Sequence, residues 1–199
     1  MQQINDIFNL CVFEGIVKNS TLANNALRLF FNDYKKQYPF HKKPRSNEGG
    51  YQTDFVENNN NYKTFLNLIN PELDDFLNKI QFDKENYKIE VAGAWINENQ
   101  KDNFNKVHIH PRCDFSLVYY AEVPENSGNL VLYNPVLSSI MGGLYECSNH
   151  SMFKEVYVIK PIPGYLIIFP SYLQHYVEPN KNVEPRLSTA LNLRVIKNG

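Results

Sequence analysis

Two histidines stand one residue apart in the segment VHIHPRCDF, residues 107–115, and a third follows in FPSYLQHYV, residues 169–177. Side chains two residues apart on a β-strand project from the same face, so His108 and His110 would present two imidazoles to one point. His175 follows an apolar run, residues 166–169, that is typical of a buried strand. Three imidazoles from two strand ends form a facial set of nitrogen ligands that suits Fe(II) and also Zn(II). We therefore expect a metal site at these three histidines.

A second polar pattern lies in the segment RLSTALN, residues 186–192. Arg186 lies eleven positions after His175, and Ser188 follows two positions later, so both side chains project from one face of a strand. A guanidinium can bind a carboxylate through two parallel hydrogen bonds, and a hydroxyl adds a further donor. Taken alone, Arg186 is better interpreted as a surface charge. The H-x-H pair, taken alone, is interpreted equally well as two surface histidines on a loop before Pro111. The ordered combination of H-x-H, His and R-x-S favours a metal site beside a carboxylate-binding site.

The elements that carry these residues are short strands. From residue 87 onward, runs rich in Val, Ile, Tyr and Phe alternate with Gly, Pro and Asn. The runs are YKIEVAGAWIN, FSLVYYAEV, GNLVLYNP, FKEVYVIK, GYLIIFP and RLSTALNLRVI. Such spacing predicts a β-sandwich or jelly roll.

The first third of the chain has helical patterns. Residues 20–37 begin with Ser20 as a candidate cap, and they place apolar residues near helical spacing, at Leu22, Ala26, Leu29 and Phe30. Residues 60–81 repeat the pattern, with Pro71 expected to start a second helical piece. Gly49 and Gly50 indicate a tight loop between the two. We expect a single domain, 1–199, with a mainly helical support region, 1–84, outside a jelly-roll core, 85–199.

Composition narrows the class of protein. The 20 basic and 21 acidic residues nearly balance, which disfavours bulk nucleic acid as a partner. The three cysteines have no C-x-x-C spacing, so a disulfide scaffold and a thiolate zinc site are both disfavoured. The sequence shows no signal peptide and no long apolar span, and we expect a cytoplasmic protein with no membrane partner. The remaining histidines, His41 and His150, have no partners at ligand spacing and are expected at the surface.

The order of these motifs resembles that of the double-stranded β-helix oxygenases that use Fe(II) and 2-oxoglutarate. In that superfamily a distal histidine, ten intervening residues and R-x-S supply the last iron ligand and the anchor for the far carboxylate. The chain resembles more closely an oxygenase group of bacteria and marine phages, whose pattern is G-G-W-Q-S, W-x-N, H-x-H-P, S-G-V-Y-Y and P-G-x-L-x-x-F-P-S-x-x-x-H. The matching residues here are 49–53, 95–97, 108–111, 116–120, 163–164 and 169–171 with His175, and the resemblance spans roughly residues 45–194.

The resemblance implies a mainly β fold with a double-stranded β-helix core and N-terminal helices packed outside it. It implies Fe(II) held by the three histidines, 2-oxoglutarate held at its distal carboxylate by Arg186 and Ser188, and O2 as co-reactant. Oxidation of an unidentified small-molecule or peptidyl substrate would then release succinate and CO2, with ascorbate as the reductant in vitro. If the chain is phage-encoded, the location would be the host cytoplasm. The possibility of a homodimer is left open.

Aromatic and amide residues before and after the H-x-H pair complete the expected site. Tyr120 is a candidate to add a hydroxyl to the cosubstrate pocket. Candidates to line the substrate cleft are Trp95, Asn97 and Tyr119. For each of the aromatic residues a packing role is the competing interpretation.

Tyr51 and Leu117 depart from the pattern of the closer group, whereas His110 matches that group and departs only from the pattern of the wider superfamily. Tyr51 replaces the usual tryptophan and Leu117 the usual glycine, and both changes are expected to affect packing. The wider superfamily has H-x-D or H-x-E, whereas this chain has His110 at the carboxylate position. An imidazole there leaves the iron site one unit more positive, which favours a dianionic 2-oxo acid but alters redox tuning.

Two alternatives remain at this point. The spacing H-x-H-x-x-x-D is close to that of cupins, so Asp114 is either a metal ligand in a cupin-like dioxygenase, a hydrogen-bond acceptor behind an imidazole, or a loop residue. We favour one of the last two. The other alternative is a non-enzymatic jelly-roll binding or structural module with a structural zinc, but such a site has no need of Arg186 and Ser188.

Overall fold

The computed structural model describes residues 10–40, 45–136, 144–147, 150 and 153–199. The helices are α1 Ser20–Gln37, α2 Asn60–Lys79 and α3 Leu144–Cys147. The strands are β1 Phe13–Ile16, β2 Asn47–Glu48, β3 Tyr51–Gln52, β4 Tyr87–Asn99, β5 Phe104–His108, β6 Phe115–Glu122, β7 Leu130–Tyr133, β8 Val156–Ile159, β9 Tyr165–Pro170, β10 His175–Val177 and β11 Arg186–Lys197. No helix in these ranges is long and apolar enough to cross a membrane.

The strands form two antiparallel sheets. The six-stranded sheet has the order β1-β9-β6-β11-β4-β3, and the five-stranded sheet has the order β2-β5-β10-β7-β8. The six apolar runs of the sequence correspond to β4, β6, β7, β8, β9 and β11. Side chains of both sheets meet in one apolar cluster, among them Phe169 from β9 and Leu130 and Leu132 from β7. The predicted double-stranded β-helix with helices outside it is confirmed.

The first part of the chain also contributes three short strands that the sequence analysis did not predict. Strand β1 pairs with β9, while β2 pairs with β5 and β3 with β4. Strands β2 and β3 therefore belong to different sheets, although only Gly49 and Gly50 separate them. Gly49 has a φ of 75°, in the left-handed region that glycine adopts without strain. The predicted tight loop is confirmed, and it links the two sheets.

The helices α1 and α2 cover the outer face of the six-stranded sheet. Their buried side chains pack with Leu117 of β6 and Leu191 of β11 in one core cluster. The buried stripe of α1 consists of Ala23, Leu27, Phe30 and Phe31. Leu22 and Leu29, which we expected on the apolar face, are 58% and 64% exposed. The spacing allowed either stripe, and contact with the sheet selects the one with larger aromatic side chains.

Two further helix expectations were wrong. Ser20 is the first helical residue, and Asn19 occupies the cap position without a side-chain cap hydrogen bond. Pro71 does not start a second helical piece, because α2 runs through it without interruption. A proline inside a helix removes one backbone hydrogen bond. Burial of Phe65 and Ile69 before Pro71, and of Phe76 and Leu77 after it, offsets that loss.

Candidate metal and cosubstrate site

Pairing between β5 and β10 brings two of the three histidines together. His108 ends β5 and His175 begins β10, and the two are direct partners in the antiparallel ladder. Directly paired residues project from the same face of a sheet. The two ring centroids are 4.2 Å apart. Phe169 of β9 packs edge-on against His175, with 4.8 Å between the ring centroids, and so limits the rotation of that imidazole.

His110 reaches the same point from a loop. We expected it on a strand two residues after His108, but β5 ends at His108 and His110 lies in the following turn. The N–H of His110 donates to the carbonyl of Ser171, at 3.0 Å, which holds the turn against the end of β9. The centroid of its ring lies 4.9 Å from that of His108 and 5.1 Å from that of His175. The three histidines do converge, but His110 lies outside β5, so strand alternation does not explain its position.

The three imidazoles can each offer one nitrogen to a common ion. One ring nitrogen from each lies within 4.8 Å of the others, and this is the one such cluster of His, Cys, Asp or Glu among the residues that the structure describes. Nδ1 of His108 lies 2.7 Å from the carbonyl of Lys106, and Nδ1 of His175 lies 2.8 Å from the carbonyl of Leu173. A carbonyl only accepts, so both Nδ1 atoms carry the proton and both Nε2 lone pairs are free. A histidine that binds a metal through Nε2 needs this tautomer.

Burial keeps the three rings neutral. It lowers the pKa of His108 below its ordinary value. Burial, together with the neighbouring His108, lowers the pKa of His110 to about 4. The same two causes, with burial the larger, lower the pKa of His175 to about 3. Neutral imidazole is the metal-binding form, so the cluster is ready to bind a cation at pH 7. This donor set fits Fe(II).

Arg186 lies at the start of β11 and is buried, with 1% of its surface exposed. Its Nη1 donates to the carbonyl of Ser127 and, at 3.4 Å, to that of Glu178. Its Nε has no hydrogen-bond partner, and none of the ion pairs among the described residues includes Arg186. Burial lowers the pKa of the guanidinium, which nevertheless stays charged at neutral pH. A buried cation without an anionic partner is costly and fits a site for an anion.

Ser188 and Tyr120 lie beside Arg186. Ser188 of β11 pairs with Tyr120 of β6 on one side and with Asn97 of β4 on the other. The hydroxyls of Tyr120 and Ser127 are both buried, and neither has a hydrogen-bond partner. Burial raises the pKa of Tyr120 to about 12, which the nearby Arg186 opposes, so the phenol keeps its proton as a donor. These residues thus combine one buried cation with two unpaired hydroxyl groups, those of Tyr120 and Ser127.

Two of the substrate-cleft candidates lie on the face of the sheet that carries Ser188. Trp95 is buried, and its ring centroid lies 5.5 Å from that of His110. Asn97 accepts a hydrogen bond from Nδ2 of Asn47, at 3.3 Å. Asn47 belongs to β2, so this bond joins the five-stranded sheet to the six-stranded one beside the pocket.

The structure does not bring Tyr119 or Asp114 to the site. Tyr119 faces the helices, where its hydroxyl donates to the carbonyl of Ser20 and its ring packs against Phe65 of α2. It is therefore not part of a cleft near the histidines, because alternation along β6 points Tyr120 inward and Tyr119 outward. Asp114 is exposed, and its Oδ2 accepts the backbone N–H of Val195 at 2.7 Å. Its carboxylate thus holds the far part of β11.

Several polar residues near the site were missed by the sequence analysis. Asn192 continues the alternation that starts at Arg186 and Ser188, so its position could have been predicted. Gln52 belongs to the matched loop motif and pairs with Asn97 in β4. Ser127 lies in a loop, and no local pattern indicates it. His150 is exposed as expected, whereas His41 lies outside the described residues.

Comparison with known proteins agrees with this geometry. Residues 93–192 match the family described as "Putative 2OG-Fe(II) oxygenase". No curated protein matches the sequence.

Solved structures share the fold at low sequence identity. One is a prolyl hydroxylase from Trichoplax adhaerens in complex with a hypoxia inducible factor peptide fragment, with 13% identity, a TM-score of 0.64, and 92% of this chain and 83% of that chain covered. Another is the viral collagen prolyl hydroxylase of Paramecium Bursaria Chlorella virus-1 in complex with 2OG, with 17% identity, a TM-score of 0.56, and 92% and 94% covered. A third is SnoN, an alpha ketoglutarate dependent epimerase of nogalamycin biosynthesis, with 10% identity, a TM-score of 0.65, and 92% and 76% covered.

Two of these proteins are prolyl hydroxylases and the third is an epimerase, and all three are at most 17% identical to this chain, so their likeness indicates the fold alone. The family match covers half of the chain and contains the H-x-H pair, His175 and Arg186. The chain belongs to the 2-oxoglutarate- and Fe(II)-dependent oxygenases.

Proposed function

We propose that this oxygenase works through two adjacent subsites. His108, His110 and His175 hold Fe(II). The second subsite, formed by Arg186, Ser188 and Tyr120, holds the distal carboxylate of 2-oxoglutarate. The first group supplies three neutral nitrogen donors with free lone pairs, and the second supplies a cation and two hydroxyl groups.

The observation that carries this proposal is the buried guanidinium of Arg186, whose Nε has no hydrogen-bond partner and which forms none of the ion pairs among the described residues. A buried charge without a partner is strongly unfavourable, and a bound carboxylate would remove the penalty. A structural zinc module has no use for such a cation. A cupin-like ligand set is also disfavoured, because the carboxylate of Asp114 is engaged with Val195.

Iron, when bound, supplies the redox chemistry that couples decarboxylation of 2-oxoglutarate to oxidation of the substrate. For a hydroxylation the balance is one C–H group, O2 and 2-oxoglutarate giving C–OH, succinate and CO2. The residues of the chain orient the two reactants and exclude water. A third imidazole in place of a carboxylate leaves the site one unit more positive, which favours binding of the dianionic cosubstrate.

The substrate is proposed to be a peptide or a small molecule. The fold is shared with an enzyme solved with a peptide fragment and with an epimerase, so both kinds remain candidates. The nearly balanced charge of the chain disfavours long nucleic acid. A cytoplasmic location and a single domain complete the proposal.

The test is cosubstrate binding by the Arg186→Lys variant. Lysine keeps the charge but cannot form two parallel hydrogen bonds with a carboxylate. We expect the apparent dissociation constant for 2-oxoglutarate to rise about tenfold or more, while iron binding stays intact. A tenfold rise corresponds to a loss of about 1.4 kcal/mol of binding free energy. Calorimetry and substrate-free succinate formation with Fe(II), O2 and ascorbate provide the measurements.

The matched control is Arg194→Lys on the same strand. Arg194 is exposed, and its Nε contacts only the carbonyl of Arg112, at 3.4 Å. That variant should bind 2-oxoglutarate as the wild type does. If iron-loaded wild-type protein neither binds 2-oxoglutarate nor converts it, the assignment of these residues is wrong.

A further inference from the structure

Asn192 lies on the same face of β11 as Arg186 and Ser188, six residues along the strand from Arg186. At about 3.3 Å per residue, the two Cα atoms are about 20 Å apart. A five-carbon diacid held at Arg186 does not reach so far. Asn192 therefore lies outside the subsite proposed for the distal carboxylate of the cosubstrate.

The side-chain oxygen of Asn192 is buried and has no hydrogen-bond partner. Its neighbours across the two adjacent strands are Gly93 of β4 and Ser116 of β6. Gly93 has no side chain, and the hydroxyl of Ser116 is engaged with that of Ser171, at 2.9 Å. Neither of these two cross-strand neighbours donates to Asn192, and an unpaired buried acceptor costs stability.

Contacts connect Asn192 to the metal cluster. Ser171, which bonds to Ser116, also accepts the N–H of His110 through its carbonyl, at 3.0 Å. On the other side, Trp95 lies two residues from Gly93 along β4 and packs against His110. Asn192 is thus linked to His110 on both sides, through Ser116 and Ser171 on one side and through Gly93 and Trp95 on the other.

Aromatic side chains lie beside Gly93, the neighbour of Asn192 on β4. The ring of Phe55 lies over Gly93, where a Cβ atom would come within 3.2 Å of it. Its centroid is 6.0 Å from that of Trp95, and it is 48% exposed. The guanidinium of Arg45 lies 4.6 Å from the centroid of Phe55. The positive charge of Arg45 disfavours a cationic substrate, and the acceptor oxygen of Asn192 disfavours an anionic one, which leaves a neutral hydrogen-bond donor as the better match.

We propose that Asn192, Phe55 and Trp95 form the substrate subsite of this oxygenase, and that the subsite takes a neutral amide group. The amide N–H donates to Oδ1 of Asn192, and its planar or apolar flank packs on Phe55 and Trp95. Asn192 is a specificity-determining residue in this arrangement. The inference rests on the proposed function, because it places the reacting group beside His110.

The first test compares two amides that differ in a single N–H. N-methylacetamide has the donor, and N,N-dimethylacetamide lacks it. Their binding is followed by ¹H–¹⁵N spectra of the protein loaded with Zn(II), in place of iron, and 2-oxoglutarate. We expect N-methylacetamide to bind about tenfold more tightly, since an unpaired buried acceptor is worth about that factor.

Variants of Asn192 assign that preference to one atom. Asn192→Asp keeps the acceptor oxygen and should keep the preference, whereas Asn192→Leu should abolish it. Equal binding of the two probes by the wild type, or a preference that survives in Asn192→Leu, would overturn the proposal. Acetamide, a primary amide, separates two sources of the group: tighter binding than N-methylacetamide identifies a side-chain carboxamide, and weaker binding identifies a peptide bond.

A second test needs no probe. If Asn192 is kept for a substrate, its replacement by an apolar residue removes an unpaired acceptor and should raise the Tm of the ligand-free protein by about 2 to 4 °C. Asn192→Ala serves in case leucine does not fit. A lower Tm in both variants would indicate a structural role and contradict the inference.

The two proposals fail in different ways. If wild-type protein does not bind or decarboxylate 2-oxoglutarate, the assignment of the cosubstrate site fails whatever the amides do. If it does both but shows no amide preference, only the substrate subsite is wrong.

Discussion

Each imidazole of the metal cluster is oriented by a different contact. His108 and His175 donate from Nδ1 to carbonyls two residues before them. His110 is held through its backbone by Ser171 and flanked by Trp95. Backbone carbonyls are thus the acceptors behind two of the rings, and no carboxylate is needed to fix their tautomers.

Comparing His110 with Asp114 tests which residues bind the metal. His110→Ala removes a proposed ligand and should weaken Fe(II) binding by more than about 100-fold, since partners behind a ligand are already worth about 10 to 100-fold. Asp114→Ala should leave Fe(II) affinity within about tenfold. It should also lower the free energy of unfolding by about 1 kcal/mol, because the N–H of Val195 loses its acceptor. Anaerobic metal titration and denaturation measure both, and the opposite ranking would favour a cupin-like ligand set.

Much of the site follows from local signals in β11 and in the strands around β10. R-x-S on one strand face is a period-two pattern, and the apolar run before His175 marks a strand end, so the grouping of these residues could be predicted. Their roles as ligands stay predictions. The end of β5 at His108 could not be predicted, because pairing with β10 decides it. The orientation of Tyr119 depends on which sheet face α1 and α2 cover, and tertiary contact decides that as well.

The short turn between β2 and β3 joins the two sheets, and Gly50 is the glycine of this turn whose Cβ atom would meet the backbone of β4. A Cβ atom on Gly50 would lie 2.5 Å from Oδ1 of Asn47 and 2.8 Å from the carbonyl of Glu98. The backbone atom cannot move without shifting β4. Gly50→Ala should therefore lower the free energy of unfolding by about 1 to 3 kcal/mol in urea denaturation.

Gly15 in β1 is the matched control for this substitution. A Cβ atom there meets only Phe13, at 3.6 Å, which is ordinary contact. Gly15→Ala should not lower the free energy of unfolding, because alanine restricts the unfolded chain. Equal destabilisation by both substitutions would mean that the turn is not constrained by Asn47.

At the scale of the whole molecule, the buried histidines make stability depend on pH. In the metal-free folded protein His110 and His175 stay neutral down to about pH 4 and pH 3, whereas unfolded histidines take up protons near pH 6.5. The unfolded state therefore binds more protons below pH 6.5, and stability falls as the pH decreases. Between pH 7 and pH 5 each such histidine should cost about 2 kcal/mol.

The measurement is the free energy of unfolding of the metal-free protein at the two pH values. His175→Gln should reduce the loss by about 2 kcal/mol, because one of the histidines no longer titrates. An identical loss in the wild type and in His175→Gln would show that His175 does not resist protonation.

Strand β11 follows every other strand in chain order, yet it lies between β4 and β6 in the sheet. While the protein is being synthesised, the edges of β4 and β6 that will pair with β11 stay unpaired until residues 186–197 have left the ribosome. Unpaired edges of this kind attract other chains. Arg186 lies on the same strand, so the proposed cosubstrate subsite and the pairing of the sheet are completed together. A nascent chain that stops short of β11 would be both inactive and prone to aggregate.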